Sequence, residues 1–280
     1  MLPLVPLLTS LGGCAHSHFI SGPPTKASSI YKVGSVAAIG DRYISEVYEL
    51  SVTPSGSQTY TVRTVRSEGD VNVKGMTAVF DSESPKESDP WPIALQMAIS
   101  ATPVNIQFDI SGFPTGLMNV QAWKDLAWQR IQTLGLPDNA RPSAEALLDP
   151  SGVVENLRRD FQGTPTGEDW NRPVVIAGFR LDVQSRCAQT TLDKQQAWAC
   201  TGSAERGQSA RGGVFDLKTQ THVIFDRLGL MEMTFQYDAV LVRADASGAL
   251  SHHAVGGKRK VIRMNLRSKS KSPKDEAPPP

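Results

Sequence analysis

Apolar and polar residues alternate with a period of two along most of this chain, the spacing of a strand with one face buried. Ile44, Tyr48, Leu50 and Val52 share a face, Pro54-Ser55-Gly56-Ser57 reads as a turn, and residues 60–66 run back. A second turn at Ser67-Glu68-Gly69-Asp70 leads into 71–80, so this region predicts a three-stranded antiparallel meander. Val104, Ile106, Phe108 and Ile110 alternate with Asn105, Gln107 and Asp109 before a turn at Ser111-Gly112. Further strands are predicted over 174–187, 196–206, 213–226, 230–243 and 258–267. In the fourth of these, Met231, Met233, Phe235, Tyr237, Ala239 and Leu241 point one way, and Asp245-Ala246-Ser247-Gly248 supplies the next hairpin turn.

The period changes in the middle of the chain. Val120, Trp123, Ala127, Ile131 and Leu134 form a helical stripe, with Asn119 as expected N-cap and Gly135 as the stop. Asp149-Pro150 starts a second helix carrying Val153, Val154, Leu157 and Phe161 up to Gly163, and Asp89-Pro90 opens a third with Ile93, Met97 and Ile99. Strands gathered at both ends around a helical middle, with no regular β-α alternation, predict an α+β domain. The expected architecture is a curved antiparallel β-sheet with two or three mid-chain helices packed on one face. It occupies residues 30–267, followed by a disordered basic and proline-rich tail over 268–280.

Composition agrees with a turn-rich β protein: 20% of the 280 residues are charged, and there are 23 glycines and 19 prolines. The net charge of +1 conceals an asymmetry. From Lys258 onward eight basic residues face only Asp275 and Glu276, which leaves the preceding chain mildly acidic. Lys258, Arg259, Lys260, Lys269 and Lys271 are therefore candidate contacts to an anionic surface such as lipid headgroups or cell-wall polymer. No aromatic residues interleave with them, which argues against single-stranded nucleic acid as a partner.

Residues 2–11, LPLVPLLTSL, run into Gly12-Gly13-Cys14. The stretch is shorter than the roughly 20 apolar residues a membrane-spanning helix needs, and it suits the apolar region of an export signal. Leu11-Gly12-Gly13-Cys14 resembles the lipobox of bacterial lipoproteins, although MLPLVP lacks the Lys or Arg with which their leaders open. The resemblance implies a signal peptide over 1–13, a lipidated Cys14 anchoring the protein to a membrane, and, with no Asp at position 15, an outer-membrane location facing the periplasm. Residues 14–29 then form a flexible tether rich in Ser, Pro and Gly. Cys187 and Cys200 enclose twelve residues, a spacing that suits a disulfide across a hairpin in an oxidising compartment, or else two reduced core thiols.

Standard catalytic patterns fail on residue type. Gly207-Gln208-Ser209-Ala210-Arg211 puts arginine where a nucleophile elbow needs glycine, and the same stretch lacks the Gly-Lys-Ser/Thr of a phosphate loop. His16 with His18 lies in the tether, and His252 with His253 would project to opposite faces of a strand. His222 reads as an outward strand position, and Asp169 and Asp226 as surface loop carboxylates. No catalytic residue, metal or cofactor is assigned.

What rises above this background is the apolar excess of Trp123, Trp128, Met231, Met233 and Phe235, which reads either as ordinary core or as the lining of a site for an acyl chain. The layout resembles the half-barrel lipoprotein carriers of the bacterial envelope. The expected function is thus a non-enzymatic envelope lipoprotein holding a lipid, an acyl chain or a partner protein. The alternatives are an assembly lipoprotein contacting cell wall or an outer-membrane complex, and a hydrolase with an unrecognised site.

Overall fold

The computed structural model describes residues 27–264 apart from 40–41, 74–75, 87–88, 138–139, 162, 166, 177–178, 193–194, 210–213, 227–228 and 245–249. The expected signal peptide, Cys14, His16, His18 and the tail with Lys269 and Lys271 lie outside the described residues. Twelve strands form one antiparallel sheet. They are β1 (Ser29–Ile39), β2 (Arg42–Gly56), β3 (Thr59–Val73), β4 (Met76–Asp81), β5 (Val104–Phe108), β6 (Pro114–Met118), β7 (Asp169–Ile176), β8 (Phe179–Leu192), β9 (Gln195–Ser209), β10 (Val214–Asp226), β11 (Gly229–Ala244) and β12 (Leu250–Met264). Between them lie helices α1 (Trp91–Ser100), α2 (Val120–Gln132), α3 (Arg141–Leu147) and α4 (Pro150–Asp160). The α+β class holds, with one helix more than expected.

The strand order β6-β5-β3-β2-β1-β12-β11-β10-β9-β8-β7 puts the first and last strands side by side in the centre. Two meanders are thereby joined at the β1–β12 ladder, where Ile30 pairs with Met264 and Ile39 with Val255. β3 serves two neighbours along one edge: β5 pairs with Thr59–Val62, and β4 with Glu68–Val73. At about 4.8 Å per strand, the eleven strands of that path would set β6 and β7 about 48 Å apart if laid flat. Yet α4, whose 11 residues span about 16 Å, packs against both β6 and β7, so the sheet has to wrap. The chain after α4 completes this tie, because the Thr164 amide and hydroxyl both donate to the Ser111 carbonyl (2.6 and 2.9 Å) in the β5–β6 turn.

Pairing aligns the inward side chains into rows that cross the sheet. Val33, Val261, Met233, Val223, Cys200 and Cys187 are successive partners on β1, β12, β11, β10, β9 and β8. All six are buried in the main core, together with Leu95 and Ile99 of α1, Trp123, Ala127 and Ile131 of α2, Ala144 of α3 and Leu157 of α4. Burying a large side chain of this kind contributes roughly 1.5–3 kcal/mol, which is why helices of modest intrinsic propensity form against this sheet. Edge-to-face contacts at 5.2, 6.0 and 5.2 Å link Tyr31, Phe161, Phe108 and Tyr60 through its middle.

Several local expectations are corrected. Ser67-Glu68-Gly69-Asp70 is no turn: β3 runs through it, with Val65 as the extra residue of a bulge where pairing passes from Glu49–Arg66 to Leu50–Thr64. Gly69 is in the strand because it faces Phe80 of β4; a Cβ there would lie 2.6 Å from the Ser45 carbonyl oxygen and 2.8 Å from the Phe80 ring. Gly69→Ala is expected to cost about 2 kcal/mol, read as a drop of roughly 4–8 °C in the thermal unfolding midpoint; an unchanged midpoint would mean that β4 gives way freely.

Asn119 does precede α2, but in the left-handed conformation (φ 52°) and with no side-chain cap, whereas Asp149 caps α4 by accepting from the Ser151 amide at 3.2 Å. Helix α3 was missed, since only Ala144 of its seven residues is buried and no stripe marks it. The expected strand over 174–187 is in fact two, β7 and β8. Residues 29–39, whose first residue the expected tether included, form β1.

Candidate functional site

One row on from Val33 and Cys187, polar groups enter the inner face. Glu46, Ser35, Arg259, Phe235, Thr221, Gly202, Ser185 and Trp170 are successive partners from β2 to β7. Arg259 is the pivot. Its Nε donates to Asp160 Oδ1 at 2.7 Å, Nη1 to Ser35 Oγ at 3.4 Å and Nη2 to the Tyr48 hydroxyl. Tyr48 in turn donates to Asp160 Oδ2 at 3.0 Å, and the guanidinium lies 5.7 Å over the Tyr48 ring. Asp160 is the last residue of α4, so this cluster is where that helix stops.

The electrostatics follow from burial. Desolvation works against the Arg259 charge, and Asp160, Tyr48 and Glu46 outweigh it and hold the guanidinium above its ordinary value. Burial pushes the Tyr48 hydroxyl well above its usual range. It pushes the Glu46 carboxyl up as well, with Asp160 adding to the rise and Arg259 and Arg159 opposing it. A second ion pair, Arg263 with Asp226, lies at the other side of Val261 and is also buried.

Beyond this cluster the next inner row is apolar. Ala78, Val71, Ile44, Ala37, Gly257 and Tyr237 are successive partners on β4, β3, β2, β1, β12 and β11. The Tyr237 ring lies against Gly257, where a Cβ would come within 2.5 Å of it. Val71 packs with Phe80 and Ile93, and Val73, Met76, Ala78 and Met97 gather half-buried against them. Ile44, although on the inner face, is 41% exposed. The opposite face of the same strands mixes exposed polar residues, among them Lys32, Lys258, Gln220, Gln236 and His222, with exposed Val36, Val79 and Ile262.

The residues singled out in the sequence fall in several places. Trp123, Met233 and Phe235 are buried, and Trp128 packs half-buried against the main core. Met231 leaves the shared face: pairing passes from Ile224–Glu232 to Phe225–Leu230, so Met231 is a bulge residue and Leu230 takes the core position.

The basic run is split by the pleat. Lys258 and Lys260 face outward, Lys260 with Glu232 at 3.0 Å, while Arg259 and Arg263 turn inward beside Val261. Arg259 thus serves Asp160 rather than an outer surface. The alternation Val255, Gly257, Arg259, Val261, Arg263 was the signal that could have found it.

Cys187 and Cys200 sit directly opposite each other and are bridged, with Sγ atoms 2.07 Å apart. His222 is exposed on the outer face as expected. Asp169 is an exposed strand residue 3.7 Å from Arg186, and Asp226 is buried, so neither is a loop carboxylate. His252 and His253 are consecutive in β12, opposite Val242 and Leu241.

A hollow of about 530 Å³ between β6 and α4 is lined by Thr115, Leu117, Pro150, Ser151, Glu155 and Arg158. Its cation is already engaged, by Glu155 at 3.2 Å and the Pro114 carbonyl at 3.0 Å. Among the described residues there is no group of three or more His, Cys, Asp or Glu able to hold a metal ion.

No family model matches the chain, and no curated protein does. Among solved structures it is similar to lipovitellin, in a structure concerned with lipid-protein interactions, with a TM-score of 0.49 and 8% identity over 87% of this chain and 25% of that one. This chain therefore spans about a quarter of the length of lipovitellin.

Proposed function

We propose that this protein is a non-enzymatic lipid-binding lipoprotein of the bacterial envelope, tethered through Cys14 and holding the acyl chain of a ligand on the open part of its inner sheet face. The observation that carries the reading is the row Ala78-Val71-Ile44-Ala37-Gly257-Tyr237, an apolar band on the inner side with a 41% exposed Ile44 within it. An apolar side chain left open on the face that forms the core elsewhere has no structural reason of its own, and contact with an apolar ligand would supply one. The supporting chemistry is that of a binding surface: Met76 and Met97, half-buried at the end of the band, have the adaptable packing suited to flexible chains. The Leu-Gly-Gly-Cys leader supports the envelope location and the outer-membrane anchor.

The reading is tested on the full chain carrying Cys14→Ser, so that its own acyl groups cannot occupy the band. Native mass spectrometry is expected to find co-purified lipid, and a fluorescent fatty-acid probe to bind saturably. Ile44→Glu is expected to weaken that binding about tenfold or more, since a carboxylate replaces a buried methyl contact. Absence of both lipid and saturable probe binding in the parent protein would sink the proposal.

A further inference from the structure

The far edge of β6 faces a groove rather than another strand. β6 stands at one end of the sheet and pairs only with β5. The Phe108 amide donates to the Gln58 carbonyl at 2.8 Å, which turns the backbone groups of Phe108 and Ile106 towards β3 and those of Gln107 and Asn105 towards β6. Their partners on β6 are Gly116 and Met118, so the amide and carbonyl of Leu117 point away from β5. Among the described residues neither group has a hydrogen-bond partner. The hollow of about 530 Å³ opens along this edge, and Pro150, Ser151, Gly152 and Val154 of α4 form its other wall. A Cβ built on Gly116 or on Gly152, both of which line it, meets nothing within 4 Å, so the space reaches the backbone on either side. A free N–H and C=O on a strand edge, with a helix across a groove, is what an added strand satisfies.

We infer that this groove takes an extended peptide as an added strand, and that its occupant is the chain's own segment 19–26. Register and reach select it. Leu117 pairs with Ile106, Ile106 with Tyr60 and Tyr60 with Pro54, two residues past the Val52 that pairs with Ser29. The chain therefore enters β1 at the height of Leu117. Five strand spacings of about 4.8 Å, roughly 24 Å, separate β1 from a strand laid on the edge of β6, and eight extended residues span about 26 Å. Those eight are FISGPPTK, so Phe19 and Ile20 arrive at a groove lined by Leu117 and Val154, while Gly22-Pro23-Pro24 supplies an extended link. Charge agrees. Arg158 is engaged by Glu155 and the Pro114 carbonyl, and Asp149 by the Ser151 amide, so the groove asks for an uncharged strand, and Phe19-Ile20-Ser21 is one. With Cys14 as the anchor proposed above, only residues 14–18 then separate the body from the membrane, about 17 Å when extended.

Hydrogen exchange resolved at the Leu117 amide tests this on the full chain carrying Cys14→Ser, against the same chain with Phe19→Asp and Ile20→Asp. The parent is expected to exchange about tenfold or more slowly at Leu117, with Gly116, held by the β5 ladder, alike in both. The double substitution touches no residue of the described core, and the melting curve of the body serves as its control. A synthetic peptide of residues 15–26 added to the double variant is expected to restore the protection saturably. Adding Gly152→Leu, which fills the groove where a Cβ has room, is expected to abolish that binding. Fast exchange at Leu117 in the parent overturns the inference, as does peptide binding that survives Gly152→Leu. Protection that survives the double substitution also overturns it, and its dependence on protein concentration then tells a second copy of the chain from any other occupant.

Discussion

Asp160→Ala is expected to lower the thermal unfolding midpoint by about 10 °C, corresponding to roughly 3–5 kcal/mol. The reason is what the substitution leaves behind. Arg259 has a side chain only 16% exposed and Asp160 one only 3% exposed, so removing the carboxylate strands a guanidinium in a desolvated site. The same change deprives the Tyr48 hydroxyl of its acceptor. The pair is also the joint between α4 and the central strands, across 99 residues of sequence. Breaking it loosens the last turn of α4 as well as the cluster.

A companion variant separates charge from packing. Asp160→Leu with Arg259→Met removes both ions and keeps the volume, and is expected to fall within about 2 kcal/mol of the parent, because the desolvation cost goes with the attraction. Circular-dichroism melts of the single and double variants make the comparison. A single substitution that shifts the midpoint by less than about 3 °C would mean that water reaches Arg259 freely.

Loss of the Cys187–Cys200 bridge is the second large effect. Replacing both residues by Ala is expected to cost about 3 kcal/mol, with the balance between chain entropy and other causes dependent on the model used. The bridge joins directly opposed residues at the far end of the Val33-Val261-Met233-Val223 row, and both cysteines are buried, so lost packing adds to the loss. Burial also governs chemistry at the bond: a mild thiol reductant is expected to leave it intact in the folded protein and to reduce it readily in denaturant. Rapid alkylation of either cysteine in the native protein after mild reduction would contradict the packing described for β8 and β9.

Much of the fold could be read locally. The stripe from Val120 to Leu134 became α2, and Gly135 and Gly163 take the positive φ (59° and 77°) that a stop after a helix favours. The alternation Val104-Ile106-Phe108 became β5 with all three residues buried, and Met233, Phe235 and Tyr237 do share the inner face of β11. Misreadings came where a residue answers to a neighbour far away in sequence. Gly69 looks like turn chemistry until Phe80 is placed across from it, and Met231 looks aligned with Met233 until the bulge opposite Phe225 is known.

The candidate site was less legible for the same reason. Glu46, Ser35, Tyr48 and Ile44 carry no motif, and Arg259 was hidden in a run of basic residues that reads as solvated until the pleat assigns alternate members to opposite faces.

By itself the sequence determined which residues of each element lie on a common side, since that depends only on the periods of helix and strand. It also placed Cys187 and Cys200 at a spacing that lets them meet across a hairpin. Only the tertiary structure decided that the first strand closes on the last, that the end of α4 meets β12, and that Ile93 of α1 packs on Val71 beside a still exposed Ile44. Those are matters of register and long-range contact. A chain's local periodicity is indifferent to them, because the energy that selects among registers comes from side chains that adjoin only after the sheet has formed.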